Sequence, residues 1–211
     1  MPNCSLLQDA VLSYVVIVDE LYGHYLDTTC GFVANERLIT ENQAKARPSL
    51  APGTDMDQLT FFYGHGDPND PSNRILHQTT QGAYKARNAE GGRNHVRAAQ
   101  LLLVLVFEYW ESEHRTHIAN ALGLADWSEL KVPVLGDLRE LRQDVIHHRG
   151  IVRGETVKKL GILKGFIACE QIQLTGEQVE TIIVEVKSAL DSLVVQAGCP
   201  DPLHRKVWRV Q

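Results

Sequence analysis

Arg142 and His147 lie in the stretch LRELRQDVIHHRGIV, residues 138–152, with His148 and Arg149 directly behind them. A histidine side chain takes up or releases a proton near neutral pH, and an arginine fork grips a phosphate or carboxylate through parallel N–H donors. These are the parts of an acid–base site acting on an anionic substrate. Whether they work together depends on the element that carries them.

That element reads as a helix. At ~100° per residue, Leu135, Leu138, Leu141 and Val145 cluster on one side, which must be the core face. Arg139, Gln143 and Ile146 project roughly opposite. Arg142 and His147 are five residues apart, or ~140° around the axis, so they do not stack as i,i+4 neighbours would. They converge on one ligand only by the reach of Arg142, by distortion at the helix end, or by facing a second copy of the helix. Ile146, apolar in the middle of a polar outer face, suggests that the face is covered. A two-fold dimer would cover it and would bring two Arg/His sets into one cleft. A structural reading uses the same residues: His147, His148 and Arg149 sit just before Gly150, where positive charge favours the helix dipole.

The remaining elements follow from periodicity and caps. Ser5 is a candidate N-cap for a long amphipathic helix running past Gly31 to about residue 44. Residues 46–93 hold four of the eight prolines (48, 52, 68 and 71), so this span is not a continuous helix. Within it LTFFYG (59–64) and RILHQTT (74–80) are short β-prone pieces flanking a turn-rich segment, which suits a small hairpin. Asn94 is a candidate cap for HVRAAQLLLVLVFEYWESEHRTHIANAL, ending at Gly123. Its 101–107 run is apolar all round, as in a central bundle helix or a subunit interface. Pro133 suits the first turn of the Arg/His helix, and Gly150 stops it. A short helix is expected over 155–166, then the extended segment IACEQIQL. A capping box of Thr175 and Gln178 opens a last helix that ends at Gly198. The expectation is an all-α bundle of four long helices, a short helix and an irregular insertion, forming one domain over 1–198 with the insertion at about 46–93 and a tail over 199–211.

Composition sets outer bounds. The net charge of the 211 residues is −5, so any nucleic-acid contact must come from a local patch. From 139 to 164 seven cations (Arg139, Arg142, Arg149, Arg153, Lys158, Lys159, Lys164) face three acids (Glu140, Asp144, Glu155). The apolar runs VVIV and LLLVLVF fall far short of the ~20 residues a membrane span needs, and the N-terminus lacks the basic region of a signal peptide. Cys4, Cys30, Cys169 and Cys199 are far apart and follow no regular spacing. They are expected to be small buried apolar residues, against a disulfide framework and in keeping with a reducing cytoplasm.

GDLRE followed by LRQDVIHHRGI resembles the R-x4-6-H motif of HEPN domains (higher eukaryotes and prokaryotes nucleotide-binding), and most resembles a plasmid-associated branch of that group. Arg142, Gln143, the intervening Asp144–Ile146 and then His147 match the motif, and the similarity covers about 137–152. Gln143 stands where many members have Asn. The doubled histidine leaves the register open, because Arg142 to His148 satisfies R-x5-H. The resemblance implies an all-α bundle that dimerises and a metal-independent endoribonuclease without cofactor, with one cleft built from two protomers. It equally implies a toxin or defence role with an antitoxin partner, or a non-catalytic nucleotide-binding or protein-interaction module. In the catalytic case His147 would move the proton of an RNA 2′-hydroxyl or of the leaving oxygen, Arg142 would hold the phosphate, and the product would be a 2′,3′-cyclic phosphate. Gln143 or Asp144 would orient an imidazole, since Gln143–His147 and Asp144–His148 are i,i+4 pairs. Arg139 and Glu108 are supporting candidates.

Other groupings are weaker. Glu111 and His114 form a single E-x-x-H, whereas di-metal bundles need two. Glu108 interrupts an apolar run; a buried carboxylate there needs a partner, and an arginine would serve. His65 and His77 read as isolated loop residues.

Overall fold

A computed structural model describes residues 2–67, 70–72 and 74–200. It is mostly helical, as expected, and its only sheet among the described residues is a two-stranded hairpin. The elements are α1 (Cys4–Ala46), β1 (Thr60–His65), β2 (Arg74–Thr80), α2 (Gln81–Asn88), α3 (Arg93–Tyr109), α4 (Arg115–Leu122), α5 (Pro133–His147), α6 (Gly154–Lys159) and α7 (Gly176–Gln196). The chain divides into two compact units, residues 26–98 and the remainder. From 201 onward the expected tail lies outside the described residues.

The larger unit is a helical core. Leu7, Tyr14 and Val18 of α1, Leu103 and Val106 of α3, Leu138 and Leu141 of α5, and Val179, Val186 and Leu190 of α7 are all buried. Tyr14 donates its hydroxyl hydrogen to the Val106 carbonyl at 2.9 Å, so its burial leaves no polar group unmatched. Burial pushes that phenol's pKa well above its ordinary value. Between α3 and α4 the backbone widens into one π-helical turn, Trp110–His114. Both Trp110 and His114 are buried there. α5 starts with Pro133 in its first turn, and the capping box of α7 is present in both directions, Gln178 N–H to Thr175 Oγ1 at 3.2 Å and Thr175 N–H to Gln178 Oε1 at 2.9 Å. α4 ends on Gly123 with φ +75°, the left-handed conformation a glycine adopts without strain.

Several local expectations need correction. Ser5 does not cap α1: Asn3 does, its side chain accepting from the Leu6 N–H at 3.2 Å. Asn94 lies inside α3 and instead donates to the Asn88 side chain at 2.8 Å. The short helix expected over 155–166 stops at Lys159, because the Asp137 carboxylate draws the N–H groups of Gly161, Ile162 and Leu163 out of helical pairing, at 2.7–2.9 Å. IACEQIQL is not extended throughout: residues 168–170 form a turn closed by the Glu170 N–H to the Ile167 carbonyl at 3.2 Å, and the extended part begins at Gln171, bridged antiparallel to Ile151.

The cysteine reading is overturned. Cys4 and Cys199 form a disulfide with Cα atoms 5.3 Å apart, while Cys30 and Cys169 are free and exposed. The start of α1 and the segment behind α7 are brought together also by Gln8, which donates to the Pro200 carbonyl at 2.6 Å. A separation of 195 residues hides such a pair from any spacing argument. Structural disulfides are characteristic of oxidising compartments. Among the described residues no helix is long and apolar enough to cross a membrane.

In the 26–98 unit β1 and β2 pair antiparallel with a bulge after Tyr63, and α2 follows directly. The strands match the β-prone pieces, but α2 was not expected within the insertion. Thr80 caps it by accepting from the Ala83 N–H at 3.2 Å. Gln43 of α1 binds both Asp57 (2.9 Å) and Gln81 (3.0 Å), and Lys85 pairs with Asp57 at 2.6 Å. The Lys85 and Gln43 bonds hold the Asp57 carboxyl below the usual carboxylate range. His65 and His77 are strand residues rather than loop residues.

Candidate functional site

α5 presents the core face and the outer face its sequence predicts. Leu135, Leu138 and Leu141 are buried and Val145 is half-buried, while Ile146 on the outer face is 46% exposed. A further stripe is charged. Asp137, Glu140 and Asp144, at spacings of three and four, are all buried and grip the chain that returns after the helix. Asp137 holds the backbone of 161–163. Glu140 binds Lys159 at 3.0 Å and Arg139 at 3.1 Å. Burial raises the Glu140 carboxyl, but the bonds from Lys159 and Arg139 outweigh it and leave the pKa below the ordinary value.

Asp144 is wholly enclosed. Its carboxylate binds Arg153 Nε at 2.5 Å and the Arg153 N–H at 3.0 Å, and its carbonyl accepts from the N–H groups of His148 (3.0 Å) and Gly150 (2.9 Å). The expected role of Asp144 in orienting His148 is therefore wrong: the carboxylate is committed to Arg153, and that bond raises the Arg153 pKa. No hydrogen bond joins Gln143 to His147 among the described residues, and Gln143 is half-buried. The helix ends at His147, and the left-handed turn begins at Arg149 (φ +56°), one residue before Gly150 (φ +80°). At Gly150 a Cβ would collide with the side-chain amides of Gln100 and Gln171, so this position needs glycine for space as well as for conformation.

This turn forms an open groove of about 430 Å³ lined by His147, His148, Arg149, Ile151, Arg153 and Cys169 among others. Both histidines are exposed. Arg142 is not part of the groove. Its Nε donates to the Glu108 carboxylate on α3, which is 44% exposed rather than buried. Arg142 and His147 thus do not meet in this groove, as their angular separation on the helix predicts. Arg149 and Arg153 do share it with His147, and sequence reasoning counted them only as part of a charged patch. Cys169, at φ +68°, enters the groove from a segment that no motif marks.

The patch itself is smaller than its charge count. Arg153 and Lys159 are drawn to the acidic stripe of α5, and Lys164 donates to the Leu160 carbonyl at 2.6 Å.

Beside the Arg142–Glu108 pair, α3 leaves an apolar stripe uncovered: Leu101 (58% exposed), Leu105 and Tyr109, at i,i+4 spacing. The all-apolar 101–107 run thus buries one side and exposes the other.

The E-x-x-H residues have structural work. Glu111 pairs with Arg115 at 3.0 Å, and Arg115 also caps the Leu130 carbonyl at 3.0 Å. His114 is buried, with Nδ1 donating to the Tyr109 carbonyl at 2.9 Å. Among the described residues no group of three or more His, Cys, Asp or Glu is placed to hold a metal ion.

Compared with family models, with curated proteins and with solved structures, the chain matches none.

Proposed function

We propose that the protein is a metal-independent endoribonuclease of HEPN type, with a toxin- or defence-like role and a composite site at a homodimer interface. The observation that carries this reading is the uncovered surface shared by α3 and α5. Leu101, Leu105 and Tyr109 run along the side of α3 that carries Glu108, to which Arg142 is bonded, and Ile146 lies one turn on from Arg142, next to His147 of the groove. A two-fold partner seated on this surface would bury the apolar side chains and bring Arg142 of one copy toward His147 of the other.

The chemistry then follows from the residues. His147 takes the proton from a ribose 2′-hydroxyl. The 2′-oxygen attacks the adjacent phosphorus, the P–O5′ bond breaks, and the 5′-oxygen leaves with a proton supplied by the second imidazole of the cleft. Arg142 and Arg149 face the charge that gathers on the non-bridging oxygens. The products are a 2′,3′-cyclic phosphate and a 5′-hydroxyl. We place the activity in the cytoplasm, where the burial of Cys199 would shield the Cys4–Cys199 bond from thiol exchange. An antitoxin partner belongs to the same proposal.

The rival reading is a non-catalytic HEPN-like nucleotide-binding or protein-interaction module. One observation favours it: Glu108 already occupies Arg142, giving that arginine a role in holding α3 to α5.

RNA cleavage in EDTA separates the two. Wild type should leave cyclic phosphate ends, and His147→Ala and Arg142→Ala should each lower the rate by at least ~100-fold with folding intact. No cleavage across a varied RNA panel would select the interaction module, and cleavage unchanged in both variants would remove these residues from the site.

A further inference from the structure

We propose that the β1–β2 hairpin with α2 is a stacking platform for the unpaired bases of single-stranded RNA, using the rings of Tyr63 and His77. The choice of RNA over DNA rests on the ribonuclease reading; the stacking surface does not.

The strand register pairs Phe61 with Thr79 and Tyr63 with His77, so the three rings lie on one face of the ribbon. A two-stranded ribbon alone is marginal. This one is fastened to α2 by a second aromatic layer. Phe61 packs on Tyr84 with centroids 4.1 Å apart, and the hydroxyls of Tyr63 and Tyr84 are 3.3 Å apart. Burial of Tyr84 and its bond to Tyr63 push its phenol up to about 12. Arg87 lies over the Tyr84 ring at 4.9 Å and donates to His77 Nε2 at 2.7 Å. The inner ring is buried, whereas Tyr63 is 49% exposed and near-parallel to His77, with 27° between the ring planes.

An exposed tyrosine locked by packing and hydrogen bonds presents a π-face with little entropy left to lose, which is what base stacking rewards. The charge agrees. The two strands and α2 carry Arg74, Lys85 and Arg87 and no aspartate or glutamate, within a chain of net charge −5. Asp67 and Asp70 fall in the turn that joins the strands. Lys85 is held by Asp57, which leaves Arg87, over the Tyr84 ring and bonded to His77, as the guanidinium at the rings for the sugar–phosphate backbone. Rings, a guanidinium group beside them and strands that carry no acid fit a single-stranded polyanion better than an apolar protein partner.

The test is binding of a short fluorescein-labelled oligouridylate to the full chain carrying His147→Ala, read by anisotropy. Tyr63→Leu should weaken binding by about tenfold and Tyr63→Phe by less than about twofold, because the first removes the π-face and the second keeps it. Leu76→Ser, at the bulged position of β2 that pairs with no residue of β1, should change nothing. The matching oligodeoxyuridylate should bind comparably, and a blocked RNA duplex should bind at least about tenfold more weakly. Equal affinity of wild type and Tyr63→Leu, preference for the duplex, or no binding of single strands would overturn the platform. Its failure is separable from that of the nuclease. Oligouridylate binding that depends on Tyr63, without cleavage by wild type, would leave the platform standing alone. Cleavage by wild type with binding indifferent to Tyr63 would leave the nuclease alone.

Discussion

Arg142 Nε donates to the Glu108 carboxylate, so the arginine of the R-x4-H motif is held by α3 before any substrate arrives. A phosphate must use the remaining edge of the guanidinium or displace Glu108. Glu108→Gln should therefore raise affinity for short RNA several-fold and steepen its salt dependence by about one phosphate contact. Because Glu108 is nearly half exposed, stability should change by less than ~1 kcal/mol. Anisotropy titrations at several salt concentrations, with a urea melt alongside, would check both. Unchanged binding would mean that the guanidinium never meets RNA.

The doubled histidine can be resolved. Both rings line the groove, but only His147 is within the helix, where backbone geometry fixes its direction; His148 is the capping residue. Under the nuclease proposal His147→Ala should lower the cleavage rate by about 100-fold or more, and His148→Ala by less than about tenfold. The reverse order in single-turnover rates would move the motif to R-x5-H.

Asp144→Ala should lower Tm by at least ~5 °C, since it leaves Arg153 and a backbone N–H without their buried acceptor. Differential scanning calorimetry gives the answer. A shift within ~1 °C would show that the turn does not depend on this carboxylate.

Acid should loosen the same region through Glu140. Its folded pKa lies below its ordinary value of 4.5, so the unfolded chain binds the proton first as pH falls. The stabilisation is complete above the ordinary value and is lost as pH drops through the folded one. Glu140→Gln should thus be destabilising at pH 7 and less so at pH 3, measured by urea unfolding at both. Equal penalties at the two pH values would place the effect in packing instead.

Cys4–Cys199 closes almost the whole described chain. The double variant Cys4→Ser with Cys199→Ser should lose about 2–4 kcal/mol of unfolding free energy. Wild type should also run faster on a non-reducing than on a reducing gel. Equal mobility would mean that the cysteines are unpaired.

Much of the fold is legible because periodicity reports burial. Leu135, Leu138 and Leu141 repeat at helical spacing and are all buried, and Thr175 with Gln178 marks a cap that is formed as read. What stayed hidden depends on partners distant in the chain. Asp144 reads as a neighbour of His148, yet a return of the backbone after Gly150 delivers Arg153 to it. Glu108 reads as a buried carboxylate in need of an arginine; the arginine is there, as Arg142 of α5, but the carboxylate is partly exposed. The helix α2 was missed because the prolines and turns before it dominate the insertion. Charge counting overstated the basic patch because α5 carries an acidic stripe interleaved with its apolar one.

The π-helical turn between α3 and α4 sets the phase of everything beyond it. Buried residues at Val106, Trp110, His114 and Ile118 are four apart, and in an α-helix each such step advances by ~40° beyond a full turn. Over three steps the last side chain would swing out of the core. The wider turn at Trp110–His114 takes up one residue more per winding and cancels part of that advance. Removing a single residue there would restore an ordinary helix and leave Ile118 and Ala119 in phase, whereas closing the turn to α geometry with every residue kept would rotate them by ~100°, away from the side they now bury.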